Sequence, residues 1–364
     1  MKILIVFNHP APYKVRGFNE LAKYVDLDVI FERRSAKDRP KDFYNFLDFK
    51  FNAIFLKHGA FGKENSNTNE LIKYLKKYHQ KYDLIIMNGY SQVTEMRAIK
   101  YLNKHHIKFA LMINGGVIKK ENFIKRTIKK KFISSACAYL SPCLAADEYL
   151  IYYGANKDKI YHYPYSTFYD EDVLISPLNE QEKESIRQKC HLPSGKIIMT
   201  SSQFIERKNN LFLLSLFKNR KETLLLIGSG VEKEKYIDYI RDNEMKNVIM
   251  LDFLKRDELF EIMKCVDGFI TLSKEDIFGH TTLEAMANGL PVISSVNVIS
   301  SKEYINNKNG YLVHLDNIEE INYALDNLDY NKQSPFALIS AKENTINKTG
   351  YNLYINIKDI VKCE

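Results

Sequence analysis

Short apolar runs alternate with longer amphipathic segments along nearly the whole chain, and this alternation restricts the fold more than any other feature. In the first half the apolar runs fall at 2–7, 27–31, 51–56, 83–88, 107–113 and 138–141. In the second half they recur at 196–202, 223–228, 247–251, 267–272, 291–294 and 311–313. Strands separated by helices pair in parallel as βαβ units. The sequence therefore predicts an α/β protein with two doubly wound, Rossmann-like sets of strands.

A polar stretch separates the two sets of strands. The segment "STFYDEDVLISPLNEQEKES" is acidic and contains a proline, which is typical of a linker that leads into a helix. We therefore predict a first domain over 1–168, a linker over 169–195 and a second domain over 196–345. The end of the chain has helical character, and a helix over about 346–364 is expected to pack back on the first domain. A chain of 364 residues is long enough for two separate cores.

Composition and terminal sequence argue against several classes of protein. The apolar fraction of 45% and charged fraction of 27% are typical of a soluble globular protein. The opening "MKILIVF" has the pattern of a strand rather than a signal peptide, and no apolar run approaches the ~18 residues of a membrane span. The five cysteines form no CxxC pair, which argues against a disulfide framework or a structural zinc. A cytoplasmic location is expected.

Positive charge is concentrated in the first half of the chain. Residues 1–165 contain 29 Lys and Arg against 15 Asp and Glu, whereas residues 166–364 contain 24 against 30. The densest segment, "KKENFIKRTIKKK" (119–131), has seven basic residues and one acid, with apolar residues at helical spacing. It predicts a basic amphipathic helix that meets a membrane face or a phosphate-bearing acceptor, or else a solvated helix face in a lysine-rich chain. No nucleic-acid module accompanies the charge, so nucleic acid is not an expected partner.

The stretch "SKEDIFGHTTLEAMANGLPVIS" (273–294) predicts a ligand site between two buried strands. "LEAMANGL" reads as a short helix, with Gly289 suited to its C-terminal turn and Pro291 just beyond. The helix must begin near Gly279 or His280, which places its unpaired N–H groups at the carboxyl edge of a parallel sheet. Such a helix start binds phosphate or sugar oxygens.

Two acids flank this helix start. Asp276 lies in the loop before it, and Glu284 follows eight positions later in a segment that is otherwise apolar. An unpaired carboxylate there would be costly, and a ligand with vicinal hydroxyls, such as a ribose, would satisfy it. A helix-capping acid with a Glu in an internal salt bridge is the structural alternative.

A second segment of the sequence supports the prediction of a ligand site. "IIMTSSQFIERKNNLFLL" (197–214) predicts a strand, a loop and a helix, with Arg207 and Lys208 at the junction of loop and helix. These cations would face the same edge of the sheet and neutralise a pyrophosphate. Cations at a helix N-terminus oppose its dipole, which favours a functional role over a solvated charge pair.

Together these motifs resemble the donor domain of the retaining glycosyltransferases of family 4, which have the GT-B fold of two Rossmann-like domains facing a cleft. The family motif E-x-F-G-x-x-x-x-E-A-x-x-x-G-x-P-V stands here as "DIFGHTTLEAMANGLPV". The family also has Gly-Arg followed five positions later by Lys. The corresponding "SQFIERK" keeps Lys208 but has Ser202 and Gln203 in place of Gly and Arg, which leaves Arg207 as the alternative second cation. "NNKNGYLV" (306–313) is similar as well. The resemblance covers roughly 196–330, and the first half is similar only in architecture.

The resemblance implies a role for each matching position. The first acid, Asp276 with Glu275 as its competitor, would contact the donor sugar, and Glu284 would bind the ribose. The remaining donor-site positions are Phe278, Gly279, His280 and Thr281, whose backbone holds sugar and phosphate, together with Gln203. Lys208 and Arg207 would stabilise the diphosphate leaving group. Transfer with retention is implied, and no metal or other cofactor is expected; the aspartate pairs in 25–29 and 169–173 lack the context of metal-binding acids.

The acceptor is expected on the first domain. Its candidate loops are 8–13, 88–92 and 114–116, with His9, Tyr13, Tyr90 and Asn114 as candidate contacts. The implied reaction moves a hexose or N-acetylhexosamine from a nucleotide-sugar, most readily a UDP-sugar, to a saccharide or lipid-linked acceptor in bacterial surface polysaccharide, capsule or glycoconjugate synthesis. The basic first domain would suit a peripheral position at the inner face of the cell membrane. A sugar-nucleotide 2-epimerase, a phosphorylase and a catalytically weak GT-B protein that binds a sugar nucleotide or a partner remain as alternatives.

Overall fold

The computed structural model describes residues 1–35, 44, 47–56 and 68–362, and the chain divides into two compact units. The first comprises Met1–Thr167 with Thr345–Glu364, and the second comprises Phe168–Asn344. The segment 169–195, which the sequence suggests as a linker, lies within the second unit, and the C-terminal helix belongs to the first. The last two residues predicted for that helix, 363 and 364, lie outside the described residues.

A seven-stranded parallel sheet forms the centre of the first unit. Its strands are β1 (Lys2–Phe7), β2 (Asp26–Phe31), β3 (Asn52–Phe55), β4 (Leu84–Asn88), β5 (Ala110–Met112), β6 (Ala138–Ser141) and β7 (Ile160–His162). They lie in the order β3-β2-β1-β4-β5-β6-β7, so the direction of winding reverses between β1 and β4. The six predicted strands are confirmed. The sequence does not predict β7, because this three-residue edge strand is only half-buried and has no apolar run.

The helices of the first unit follow the strands in the usual α/β alternation. They are α1 (Pro12–Leu21), α2 (Thr68–Tyr78), α3 (Val93–Lys104), α4 (Phe123–Ile133) and α5 (Leu144–Tyr152). Pro12 occupies the first turn of α1, where the N–H that proline lacks would have had no helical partner. Because β1 and β4 are parallel neighbours, the loops that follow them come together at the carboxyl edge of the sheet, at the point where the winding reverses.

The second unit contains a six-stranded parallel sheet. Its strands are β8 (Ile197–Ser201), β9 (Thr223–Ile227), β10 (Val248–Leu251), β11 (Gly268–Thr271), β12 (Val292–Ser295) and β13 (Gly310–Val313), in the order β10-β9-β8-β11-β12-β13. All six were predicted. The strands are almost continuously apolar because helices cover both faces of such a sheet. Here the winding reverses between β8 and β11.

Eight helices surround the second sheet within the described residues. They are α6 (Glu180–Lys189), α7 (Asn210–Phe217), α8 (Lys233–Asp242), α9 (Arg256–Cys265), α10 (His280–Ala287), α11 (Ser301–Tyr304), α12 (Ile318–Asn327) and α13 (Tyr330–Lys342). The last helix of the chain, α14 (Ile346–Lys362), packs on α1, where Gly350 allows the two backbones to approach because a side chain there would overlap Glu20.

Buried charges hold α6 to the second sheet. Lys183 and Arg187 of α6 both pair with Asp267, which precedes β11, and the Arg187 Nη2 to Asp267 Oδ2 distance is 2.9 Å. The same carboxylate accepts a hydrogen bond from the backbone N–H of Ile197 at 2.8 Å. Because Lys183 and Arg187 are almost fully buried, the polar segment before β8 is an integral part of this unit.

Candidate functional site

The candidate site lies at the carboxyl edge of the second sheet. β8 pairs with β11, with Gly268 opposite Ile198 and Phe269 opposite Met199. The loops that follow these two strands are therefore neighbours at the point where the winding reverses, which is where α/β sheets bind ligands. The two motifs singled out in the sequence, 202–208 and 275–284, occupy these loops and the helices after them.

An ion pair joins the two loops. The Lys208 ammonium contacts the Asp276 carboxylate, and both side chains are largely sheltered from solvent. The Lys274 N–H donates to the Arg207 carbonyl at 2.8 Å, and Arg207 Nη1 donates to the Glu275 carbonyl at 3.2 Å. The structure therefore brings Lys208, Arg207 and Asp276 together, as the sequence predicts, with Asp276 rather than Glu275 directed at the lysine.

Helix α10 begins at His280, as predicted. Its N-cap is Gly279, whose φ of +82° is a left-handed conformation that few other residues adopt, and a side chain there would overlap Val298. The ring of Phe278 is buried and lies 4.7 Å from the ring of His280, centroid to centroid. The N-terminal end of α10, with the N–H groups of His280 and Thr281 in its first turn, lies at the carboxyl edge of the sheet and carries the positive end of the helix dipole.

A loop after β12 holds the segment before α10 in place. Asp276 forms a β-bridge with Val298, and its N–H donates to the Asn297 carbonyl at 3.1 Å. The Ser300 N–H and hydroxyl both donate to the Phe278 carbonyl. The sequence does not predict this support, because "VNVIS" (296–300) has no residue type that signals it.

The loop after β8 is supported by the glycines of "GSG" (228–230). Gly228 and Gly230 both have positive φ, and side chains there would overlap the Ser202 and Phe204 carbonyls. The Ser202 hydroxyl accepts a hydrogen bond from Asn210 Nδ2 at 3.1 Å, so the residue that replaces the expected glycine has a structural partner. Gln203 is exposed on this loop. Gly228 at the end of the predicted strand 223–228 and Gly230 just after it were the available sequence signal for this packing.

Glu284 lies in the second turn of α10 and is half-buried. Its neighbours along the helix, Leu283 and Ala285, are fully buried, so only one side of this turn is open. Its carbonyl accepts a hydrogen bond from Asn288 Nδ2 at 2.9 Å, which helps to end the helix before Gly289. The predicted C-terminal turn is confirmed, since Gly289 has a φ of +78°.

The residues assigned to the acceptor side lie in the first unit, at the carboxyl edge of its sheet. His9 follows β1, and its Nδ1 lies 3.1 Å from the Tyr44 hydroxyl. Tyr13 is in α1 with its ring 6.0 Å from that of Tyr165. Tyr90 follows β4, and its hydroxyl forms a hydrogen bond with the Tyr149 hydroxyl. Asn114 follows β5, and its Nδ2 donates a hydrogen bond to Asn88 Oδ1 at 3.5 Å.

Two buried ionisable residues near this edge were not identified from the sequence. Glu95 accepts hydrogen bonds from the N–H groups of Ser91 and Gln92 at 2.7 and 2.9 Å, and burial raises the pKa of its carboxyl to about 7. Burial likewise lowers the pKa of Lys14 to about 7. No motif in the sequence singles out Lys14, and only the packing of α1 places it inside.

The aspartate pairs noted in the sequence have structural partners. Asp28 of β2 accepts hydrogen bonds from the Tyr82 hydroxyl at 2.6 Å and Asn52 Nδ2 at 2.9 Å, and Asp172 pairs with Arg256 at 2.6 Å. Across residues 1–35, 44, 47–56 and 68–362, no group of three or more His, Cys, Asp or Glu side chains is placed to hold a metal ion. Over the same residues, no helix combines the length and apolarity that a bilayer crossing requires.

A cavity of about 860 Å³ lies at the opposite, amino edge of the second sheet. Lys196, Asp267 and Tyr330 line it, together with Phe336 of α13. The residues assigned to the sugar nucleotide follow the carboxyl ends of β8 and β11, so this cavity is separate from the candidate site.

Comparison with known proteins supports the assignment of the second half. Residues 182–345 match the family model described as glycosyl transferases group 1. A 153-residue segment is 28% identical to the O-antigen biosynthesis glycosyltransferase WclY of Escherichia coli, covering 41% of this chain and 40% of that one. This chain therefore aligns with less than half the length of that curated relative.

Solved structures extend the likeness in fold to the whole chain. HepE of Anabaena, determined in complex with UDP, superposes with a TM-score of 0.75 at 15% identity, and all of both chains is covered. The lipopolysaccharide outer core galactosyltransferase WaaB superposes with a TM-score of 0.72 at 15% identity, covering 98% of this chain and 99% of that one. At such identities the likeness shows the fold, which is GT-B. Residues 182–345 thus match the glycosyl transferases group 1 model, in a chain that has the GT-B fold.

Proposed function

We propose that this protein is a retaining glycosyltransferase that takes its sugar from a nucleotide-sugar. The observation that carries the proposal is the Lys208–Asp276 pair beside the start of α10, inside the region that matches the glycosyl transferases group 1 model. A cation, a carboxylate and the positive end of a helix dipole at one sheet edge suit a ligand with both phosphates and sugar hydroxyls.

The cations and the helix start would hold the diphosphate. Lys208, with Arg207 beside it, and the N–H groups of His280 and Thr281 would stabilise the negative charge that develops as the nucleoside diphosphate leaves. These groups stabilise the leaving group without a divalent cation, which supports a metal-independent reaction. A donor phosphate oxygen would help to deprotonate the incoming hydroxyl on the same face of the sugar, which gives retention.

The acids would bind the sugar and the ribose. Asp276 has a shorter side chain than the glutamate usual in family 4, and the Lys208 ammonium orients its carboxylate. The β-bridge with Val298 fixes the backbone beneath it. Glu275 engages Arg207 through its carbonyl, which supports Asp276 as the first acid. Glu284, on the open side of α10, would accept hydrogen bonds from the ribose hydroxyls.

The chemistry of the site and the relatives together support a proposal for the donor and the pathway. UDP bound to HepE supports a UDP-sugar, and the O-antigen role of WclY supports synthesis of a bacterial surface polysaccharide or glycoconjugate, including capsule. The transferred group would be a hexose or N-acetylhexosamine, and the acceptor a saccharide or a lipid-linked saccharide. The acceptor would meet the first unit at the loops that contain His9, Tyr90 and Asn114, on the cytoplasmic side of a membrane.

The test is binding and turnover of UDP-, GDP- and ADP-sugars in the presence of EDTA. We expect one nucleotide class to bind, and Lys208→Ala to lower kcat/KM about a hundredfold, because it removes a group that stabilises the leaving group. Lys274→Ala, a lysine in the neighbouring loop that pairs with Glu206, is the matched control and should change little. Glu284→Gln should raise the KM for the donor, whereas Glu303→Gln on α11 should not.

Three results would oppose the proposal. Failure of all three nucleotide classes to bind would exclude a nucleotide-sugar enzyme. Binding without turnover on any acceptor would favour a catalytically weak binding protein, which the Ser202 and Gln203 substitutions make worth testing. Turnover of UDP-N-acetylhexosamine without an acceptor, with inversion at C2 seen by NMR, would favour the 2-epimerase.

A further inference from the structure

Helix α4 exposes apolar side chains that the first unit does not cover. Of its eleven residues only Phe132 and Ile133, at the C-terminal end, are buried. Phe123 is 81% exposed, Ile124 is 68% exposed and Ile128 is 42% exposed. The Asn122 side chain accepts a hydrogen bond from the Lys125 N–H at 2.8 Å, so the first turn is a capped, regular helix.

The exposed apolar residues form one face. At about 100° per residue, Phe123, Thr127, Ile124 and Ile128 fall within an arc of roughly 140°. That arc lies on the opposite side of the helix from Phe132 and Ile133, which anchor it to the unit. The outermost surface of the first two turns of α4 is therefore largely apolar, and Lys131 lies on the same side one turn further along. We call Phe123, Ile124, Thr127 and Ile128 the α4 arc.

Basic residues border the α4 arc. The segment 119–131 contains seven Lys and Arg and one acid, Glu121, which pairs with Lys129 at 2.8 Å. The other six cations are exposed: Lys119, Lys120, Lys125, Arg126, Lys130 and Lys131. An apolar face within a ring of cations is the arrangement of a helix that lies in the interface of a membrane.

We propose that α4 docks this protein on an anionic lipid bilayer, with the α4 arc at the boundary between headgroups and acyl chains. The six exposed cations would lie at the level of the anionic headgroups. A second copy of the chain fits this surface poorly, because a twofold contact would place like charges against each other. A nucleic acid would pair with the cations but would leave Phe123 and Ile124 in water.

The docked helix adjoins the loops assigned to the acceptor. Lys129 and Tyr153 both contact Glu121, and the rings of Tyr149 and Tyr153 lie 4.8 Å apart. The Tyr149 hydroxyl forms a hydrogen bond with the Tyr90 hydroxyl. Gly116 leaves room for the Tyr149 ring, because a side chain at that position would overlap it. If the proposed transferase function holds, docking through α4 would bring loops 88–92 and 114–116 to the membrane surface, where a lipid-linked acceptor would be presented.

Flotation of the full chain with lipid vesicles tests the docking without any donor or acceptor. We expect binding to vesicles with about 30% phosphatidylglycerol, and little to pure phosphatidylcholine, because each cation adds about fivefold in affinity at an anionic surface. Phe123→Asn with Ile124→Asn should lower the affinity at least tenfold. Its matched control is Ile175→Asn with Ile339→Asn, which removes two apolar side chains that are 90% and 58% exposed elsewhere.

Charge is tested separately. Lys125→Gln with Lys131→Gln should lower affinity for the anionic vesicles about twentyfold. Lys76→Gln with Lys104→Gln, which removes two exposed lysines of α2 and α3, should not. Equal binding by the wild type and the α4 variants would overturn the proposal, as would absence of vesicle binding. A dimer that Phe123→Asn dissociates would assign the arc to a second copy. Nucleotide-sugar binding unchanged in the α4 variants separates this test from that of the proposed function.

Discussion

Replacement of Lys14 by methionine should stabilise the first unit at neutral pH. The side chain is 4% exposed, and its ammonium lies 3.9 Å from the centre of the Tyr165 ring. Loss of hydration lowers the pKa of Lys14 from 10.5 to about 7. At about 1.4 kcal/mol per pH unit, the shift costs about 5 kcal/mol of unfolding free energy. Methionine carries no charge and avoids this cost, so Lys14→Met should gain about 3–5 kcal/mol at pH 7.

The gain should depend on pH in a defined direction. The unfolded chain keeps the Lys14 proton up to about pH 10.5, whereas the folded chain releases it near pH 7, so the unfolding free energy of the wild type rises between these limits. The advantage of Lys14→Met should therefore be largest at or below pH 7 and shrink by pH 9.5. Urea unfolding, followed by circular dichroism at several pH values, measures both chains.

Lys104→Met is the control, since it removes an exposed lysine at the end of α3. Its unfolding free energy should stay close to that of the wild type at each pH. The reasoning fails if Lys14→Met is less stable than the wild type at pH 7. It also fails if the difference between the two chains does not change with pH.

Three further predictions concern stability and the site. Gly279→Ala should lower the unfolding free energy of the second unit by about 1–3 kcal/mol and weaken donor binding, because it strains a positive φ beside Val298; normal melting and affinity would contradict this. Asp267→Asn should cost about 3–5 kcal/mol in urea unfolding by leaving buried cations of α6 without their carboxylate. Glu95→Gln should remove a loss of about 3 kcal/mol that the wild type shows between pH 4.5 and 7, since the unfolded carboxyl ionises first; an unchanged pH profile would refute it.

The sequence by itself determined the architecture and the elements of the candidate site. Twelve apolar runs predicted twelve strands, because the strands of a parallel sheet are buried on both faces and leave a continuous signal. Gly279 and Gly289 marked the ends of α10, because positive φ restricts the choice of residue. Lys208 and Asp276 were identifiable because each lies between a strand of the same sheet and the helix that follows it, and topology then brings the two loops together.

Only the tertiary structure decided features that depend on residues far apart in the chain. The order of strands makes β8 and β11 neighbours, and from that follows the contact of Lys208 with Asp276 rather than with Glu275. The buried state of Lys14 depends on aromatic rings at Tyr163 and Tyr165, about 150 residues away in sequence. The sequence also does not decide whether the apolar face of α4 is exposed. An amphipathic pattern shows that a helix has an apolar side, but not whether the rest of the protein covers that side.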